Sequence, residues 1–400
     1  MTEKSIIYAI PWIILVLVYL YLSLREQLDA ENLNYGIIAA TVFLLFFGLR
    51  GFVGWDYANY YPSYVYDTHG LFDVGSLADK MSALEWDKGY SLYMIVCKTF
   101  IPNYHAFIFF STLIDVVLLF YFFKKYSFNI SLSFLIFIVF SVTLEIDTLR
   151  NMKALVICLA AIPYIIERKP LKFFILIAIA ATFHFTALLL APAYFFIHKK
   201  IPQWLLWGLF IVGNLWYFLL SFNVFDSISP YLSYLPAIFS EKGEMYIDSG
   251  SFGVGYVLSF GFIERTISWL LIIFSYDKIV KKQVWMAVFL NFTICYLMCF
   301  FLFGSILVLL TRITLFLSFG YWIIFPAIIN LFQSEDKKIF YYGIFLYLSA
   351  YSLMQAGGKT SIMNKYETII FNNTTYEYKM EETSNERINE QSKLIDELGK

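Results

Sequence analysis

Residues 6–24 read Ile6-Ile7-Tyr8-Ala9-Ile10-Pro11-Trp12-Ile13-Ile14-Leu15-Val16-Leu17-Val18-Tyr19-Leu20-Tyr21-Leu22-Ser23-Leu24, without one charged side chain. About 20 such residues cross roughly 30 Å of hydrocarbon as a helix. The run is too long for a signal-peptide core and lacks a small-x-small cleavage site, so it reads as a retained transmembrane helix. Comparable runs recur as far as Met354, separated by short polar loops. The composition is 60% hydrophobic and only 15% charged, which excludes an ordinary soluble domain. Lipid cannot satisfy open backbone groups, and the period-2 alternation of an outer-membrane barrel is absent, so the runs are expected to be helices.

The expectation is an all-α polytopic membrane protein with about 12 transmembrane helices (range about 10–14) within residues 1–356. The spans fall at about 6–24, 35–50, 104–123, 131–147, 151–167, 171–185, 186–198, 203–221, 256–274, 284–303, 308–331 and 338–354. Gly89 to Phe100 reads as a short re-entrant or interfacial helix. Residues 357–400 change to a polar, partly disordered C-terminal tail.

Charge sorts the loops. Arg25, Lys124, Lys125, Arg168, Lys169, Lys172, Lys199, Lys200, Lys278, Lys281, Lys282, Lys337 and Lys338 fall on one set of short loops, which the positive-inside rule makes cytoplasmic. The long loops 51–103 and 222–255 are poor in basic residues for their length and are expected outside. At the start of the first lies Gly48-Leu49-Arg50-Gly51-Phe52-Val53-Gly54-Trp55-Asp56-Tyr57-Ala58-Asn59-Tyr60-Tyr61, a glycine-hinged, charged and tyrosine-rich element that membrane solvation does not require. Arg50, Arg150 and His184 all fall at outward helix ends, and Arg312 lies about one turn inside another. Several arginines converging on one face suit a diphosphate or another oxyanion.

Each of these residues also has a purely structural reading. Arg50 and Arg150 fit interfacial snorkelling, and Glu145 or Asp147, about one turn before Arg150, fits an ion pair with it. His184 fits a packed histidine, and the tyrosines fit an aromatic belt. Glu264 and Arg265, near mid-span, read as a structural pair facing the bundle interior.

The net charge of −1 argues against an anionic partner such as a nucleic acid. Cys97, Cys158, Cys295 and Cys299 lie in apolar segments without a CxxC pair and read as packing residues. Walker, Rossmann, HExxH and GxSxG motifs are absent from the sequence, as is any metal-ligand cluster; no cofactor and no metal are expected.

Four pieces together resemble the EpsG-type family of bacterial exopolysaccharide polymerases, a branch of the Wzy-like polymerases. Leu49-Arg50-Gly51 through Gly54-Trp55-Asp56 to Tyr60-Tyr61 is similar to an LRG-x-x-G-x-D-x-x-x-Y element. Glu85-Trp86-Asp87-Lys88-Gly89-Tyr90 is similar to an E-x-GY element, with Trp86-Asp87-Lys88 as an insertion. Arg150 precedes the Ala154–Tyr164 helix, followed here by Asn151-Met152-Lys153 where the family tends to have Gln and a small residue. Ala180-Ala181-Thr182-Phe183-His184-Phe185-Thr186-Ala187 is similar to an A-x-x-F-H-x-(S/T)-A element.

The resemblance implies a fold like that of the glycosyltransferase class C polymerases and ligases. It also implies en bloc transfer of a polyprenyl-diphosphate-linked oligosaccharide onto the next lipid-linked repeat unit, with the site facing outward from the bacterial plasma (inner) membrane. The catalytic candidates are then Arg50 and Arg150 at the diphosphate, His184 as base, and Asp56 or Glu145 as its rivals. Trp55, Tyr57, Tyr60 and Tyr61 suit sugar binding, with Glu85, Glu145 and Arg312 also on the substrate. The implied partners are the lipid-linked oligosaccharide, the bilayer, and a chain-length regulator and flippase. A lipid-linked oligosaccharide flippase or an O-antigen-type ligase remains the alternative. A flippase would spread its charges through a cavity open to both leaflets, whereas here they gather at one face; a ligase differs only in its acceptor. A membrane O-acetyltransferase ranks lower, because the earliest histidine, His69, lies in a loop.

Overall fold

The computed structural model describes residues 3–29, 32–220, 260–303, 314–332, 343, 365–371 and 374–384. The described residues form helices, with one isolated antiparallel bridge, Arg50 to Thr368. They fall into two compact units: Met1–Ala160 with Ala178–Phe185 and Ser334–Lys400, and Ala161–Ile177 with Thr186–Gln333.

The helices up to His184 are α1 (Glu3–Leu28), α2 (Asn34–Gly48), α3 (Tyr57–Pro62), α4 (Leu77–Ala83), α5 (Lys88–Phe100), α6 (Tyr104–Tyr126), α7 (Ile130–Ser141), α8 (Thr143–Ile146), α9 (Leu149–Ile166) and α10 (Pro170–Phe183). The unit boundary cuts α9 and α10. In the first unit, α2 packs on α6 and α7, and α1 on α7 and α2. The contact is aromatic: Phe43 meets Phe47, Phe134 and Phe137, and Phe123 meets Phe134. A helix end buried in apolar surroundings needs its N–H groups satisfied. Glu26 of α1 does this for α7, accepting from Ile130 N (2.6 Å) and Ser131 N (2.9 Å), while the N-cap Asn129 accepts from Leu132 N.

The second unit continues through a 3₁₀ turn (Phe185–Leu190) to α11 (Ala193–Phe196), α12 (Gln203–Leu220), α13 (Phe260–Lys282), α14 (Met286–Phe303) and α15 (Phe319–Ile329). Here Glu264 and Arg265 pair at 3.3 Å. Ser268 and Tyr321 donate to Glu264 Oε1, and Arg265 donates to the Tyr296 hydroxyl and lies over the Phe300 ring.

Among the described residues, four helical segments are long and apolar enough to cross a membrane: Ile10–Leu28, Tyr104–Tyr126, Leu149–Ile166 and Met286–Phe303. Several expected spans are shorter in the structure. The run at 131–147 breaks after Ser141 into α7 and α8, and the run at 186–198 is interrupted before α11 by Pro192, which has no N–H to continue a helix. The expected span at 308–331 is described from 314 onward, where it carries α15, whereas 338–354 lies outside the described residues except for 343, as do the loop 222–255 and Arg312. The four cysteines are free.

Candidate active site

The second sequence element opens α5. Asp87 is its N-cap, a position where an aspartate normally accepts from its own helix. Here the side chain makes no such bond. Its Oδ2 instead accepts from Arg150 Nη1 at 2.8 Å and lies 3.2 Å from His184 Nδ1. A carboxylate only accepts, so the tautomer that bonds to it carries its proton on Nδ1 and its lone pair on Nε2.

Gly89 makes this meeting possible. A Cβ there would stand 2.8 Å from the Thr182 carbonyl carbon, so only glycine lets the start of α5 touch the end of α10, where His184 follows. Arg150, at the start of α9, also lies over the Trp86 ring at 4.6 Å. Trp86 in turn stacks on Tyr60 (5.1 Å, 22°) and donates from Nε1 to Ser63 Oγ. Burial raises the Tyr60 phenol above its ordinary value, with the Arg150 guanidinium partly opposing, so Tyr60 is a neutral hydroxyl beside the cation. His184 is buried, whereas Arg150 and Asp87 are 23% and 24% exposed and form the accessible edge of the trio.

Arg50 lies elsewhere. It is 4% exposed and its guanidinium is engaged inside the protein: Nη1 donates to Phe47 O, Thr112 Oγ1 and Glu145 Oε1, and Nη2 to Glu145 O (2.7 Å). Thr112 donates to the same Glu145 oxygen at 2.6 Å. Glu145 therefore pairs with Arg50 and not with Arg150. Asp147 has a third task. Its Oδ1 accepts from the backbone of Trp55 (2.5 Å) and Asp56 (3.2 Å), two successive N–H groups that Gly54, at φ +88°, turns toward it. A side chain at Gly54 would overlap that carboxylate.

Among the tyrosines, Tyr57 and Tyr60 are buried in an aromatic core with Phe52, Tyr64 and Tyr90, while Tyr61 lies at its margin. Glu85 is exposed. Arg150 and His184 thus meet, Arg50 and Glu145 form a separate pair, and Asp56 sits beside Asp147 through its backbone.

Two features escaped sequence reading. Lys153, one turn after Arg150, forms a buried ion pair with Asp115 of α6 and donates to Ser111 O. A lone acid inside the apolar run of α6 was the available signal, since an unpaired charge there is costly. The other is the tail. Thr368 and its neighbours bridge the Arg50 backbone, with Gly51 N to Glu367 O (2.8 Å) and Ile369 N to Leu49 O (3.0 Å).

A family model described as the EpsG family matches residues 33–376. The chain belongs to the EpsG family. That family is associated with exopolysaccharide and Wzy-like polymerases, which makes this a membrane protein of polysaccharide biosynthesis with a glycosyltransferase-like polymerase activity. No curated protein and no solved structure matches the chain. The geometry also simplifies the EpsG-type E-x-GY element. Asp87-Lys88-Gly89-Tyr90 satisfies its spacing without an insertion, with an aspartate as the acid, and it is this acid that reaches Arg150 and His184.

Proposed function

We propose that this EpsG-family chain joins polyprenyl-diphosphate-linked oligosaccharide repeat units into a surface polysaccharide, such as an exopolysaccharide, capsule or O-antigen. The transfer is en bloc, at the outward face of the bacterial plasma membrane. The observation that carries the reading is the convergence of Arg150 and His184 on Asp87.

An acceptor sugar hydroxyl attacks the anomeric carbon of the lipid-linked donor. The bond from that carbon to the diphosphate oxygen breaks, and the electron pair leaves with the polyprenyl diphosphate. His184, oriented through Nδ1 by Asp87, takes the hydroxyl proton on Nε2. Arg150, held by Asp87 and Trp86, offers the exposed part of its guanidinium to the departing diphosphate, whose charge it meets in place of a metal. Arg50 supports the reaction from behind, tying the Gly48–Tyr61 element to Glu145. Sidedness follows from charge: the opposite ends of α1 and α6 carry Arg25, Lys124 and Lys125, which the positive-inside rule keeps cytoplasmic.

The test is a deletion strain complemented with variants. Loss of the chain is expected to accumulate single lipid-linked repeat units at the outer leaflet, and Arg150→Ala or His184→Ala is expected to leave that accumulation uncorrected while the protein still inserts. Accumulation at the cytoplasmic leaflet alone would select a flippase. Unit-to-unit joining intact in the deletion strain, with the finished polymer no longer moved onto its final acceptor, would select a ligase.

A further inference from the structure

The polar tail returns to the site as a strap. Tyr366 stacks on Phe46 (4.0 Å, 17°) and donates to Phe46 O (2.7 Å). Tyr376 donates to Ala58 O (3.0 Å), and Thr383 shares a hydrogen bond with the Tyr57 hydroxyl (2.8 Å). Lys379, 1% exposed, clasps the strap internally between Glu367 (2.7 Å) and Glu382 (3.1 Å), with Lys365 closing on the same two carboxylates. A segment more than 300 residues from Tyr61 in sequence thereby lies on the same face as loop 51–103.

The strap brings one further group. The Tyr376 ring stacks on Tyr61 (4.4 Å, 12°), and Tyr66 stands against Tyr61 at 6.2 Å and 82°. Tyr66 is 59% exposed. The result is an aromatic corner, two stacked rings with a third nearly perpendicular. It is continuous with the candidate active site through the adjacent residue Tyr60, which stacks on Trp86. Phenols at a right angle offer a flat apolar face together with hydroxyl donors and acceptors, the combination that a pyranose ring presents in return.

We infer that Tyr61, Tyr66 and Tyr376 form a saccharide subsite of which the C-terminal strap supplies one wall. The occupant is a sugar residue of the repeat unit or of the growing chain. The inference rests on the proposed function for the nature of the ligand, and it adds residues that the reaction itself does not require.

Its test uses the full chain in nanodiscs and lipid-free oligosaccharide fragments released by mild hydrolysis of the polymer its own cells make. Wild-type protein is expected to bind the fragments, and Tyr66→Ala to weaken binding about tenfold, as loss of an aromatic anchor does. Tyr66 is largely exposed, so this variant tests the corner without disturbing the clasp. Tyr376→Ala should weaken binding at least as much, and Tyr376→Phe, which keeps the stack, much less. Wild-type affinity in Tyr66→Ala overturns the subsite, as does failure of wild-type protein to bind any fragment. Either result leaves the polymerase reading standing where the deletion strain still accumulates unjoined units at the outer leaflet. The strap has its own test: in intact cells Tyr378→Cys, at a position 62% exposed, should react with an impermeant thiol reagent. Reaction only after permeabilisation overturns its place at the site.

Discussion

Replacing Asp87 by Asn tests the site at its joint. The carboxylate serves two cationic or proton-bearing partners through one oxygen, at 2.8 Å from Arg150 Nη1 and 3.2 Å from His184 Nδ1. An asparagine supplies one carbonyl oxygen and one NH₂. If its oxygen takes the place of Oδ2, it still accepts from both partners, but as a neutral group that no longer stabilises the imidazolium formed when His184 takes the proton. If the amide turns over, its NH₂ opposes the guanidinium and also faces His184 Nδ1, which must then accept; the imidazole proton moves to Nε2, the base is lost and Arg150 loses its anchor. Either outcome weakens or removes the positioned base. General-base catalysis contributes about 10²–10⁴-fold, so a fall of about 10²–10³-fold in rate is expected, or about 3–4 kcal/mol in the barrier. Stability should change little, because a partly exposed ion pair contributes only about 0–1 kcal/mol. The assay is the initial rate of joining a lipid-linked repeat unit in proteoliposomes, with thermal melting of the same preparations alongside. Asp87→Glu restores the acid usual in the E-x-GY element and should stay within about tenfold of wild type, whereas Glu85→Gln should retain most of the activity. An Asp87→Asn enzyme within about threefold of wild type, or a Glu85→Gln loss as deep as that of Asp87→Asn, would refute the assignment.

Three further outcomes follow from the supports of the site. Gly54→Ala forces a side chain into positive φ and onto the Asp147 carboxylate; it should destabilise by about 1–3 kcal/mol, read as a lower melting temperature and faster proteolysis of loop 51–103. Lys153→Met leaves Asp115 buried and unpaired and should cost about 3–5 kcal/mol, while Lys153→Met combined with Asp115→Leu should recover most of it in the same melting assay. The strap should loosen in acid. Burial alone would raise Glu382, but Lys365 and Lys379 outweigh it and hold the carboxyl below its ordinary value of 4.5. Its contribution is therefore complete above that ordinary value and is lost as pH falls through the lower folded one. Spin labels at Tyr378→Cys and Ser82→Cys should separate over that interval, and an unchanged distance would show that the clasp does not hold the strap.

The helical class was legible because a bilayer imposes it: long uncharged runs have one way to satisfy their backbones, and α1, α6, α9 and α14 carry such runs as helices. Arg50, Arg150 and His184 were visible for a related reason, since each is a polar group that an apolar neighbourhood must explain. Their partners were not. Charge at a helix end does not say which acid it meets, and Glu145, one turn from Arg150 in sequence, pairs across the bundle with Arg50 instead. Asp87 was hidden by chemical equivalence. Glu85 matched the family's letter, yet only Asp87 stands two residues before Gly89-Tyr90, and that spacing fixes which acid the start of α5 presents. The strap shows the converse limit. Lys365, Glu367, Lys379 and Glu382 are residue types that any solvated tail carries, and composition cannot distinguish charges facing water from charges that neutralise one another under a folded segment. The aromatic spacing held a trace of the answer, since Tyr366 and Tyr376 are large rings set among charged and polar residues. Such groups return to a core when one is in reach, and here the core they reach is the tyrosine element that opens the candidate site.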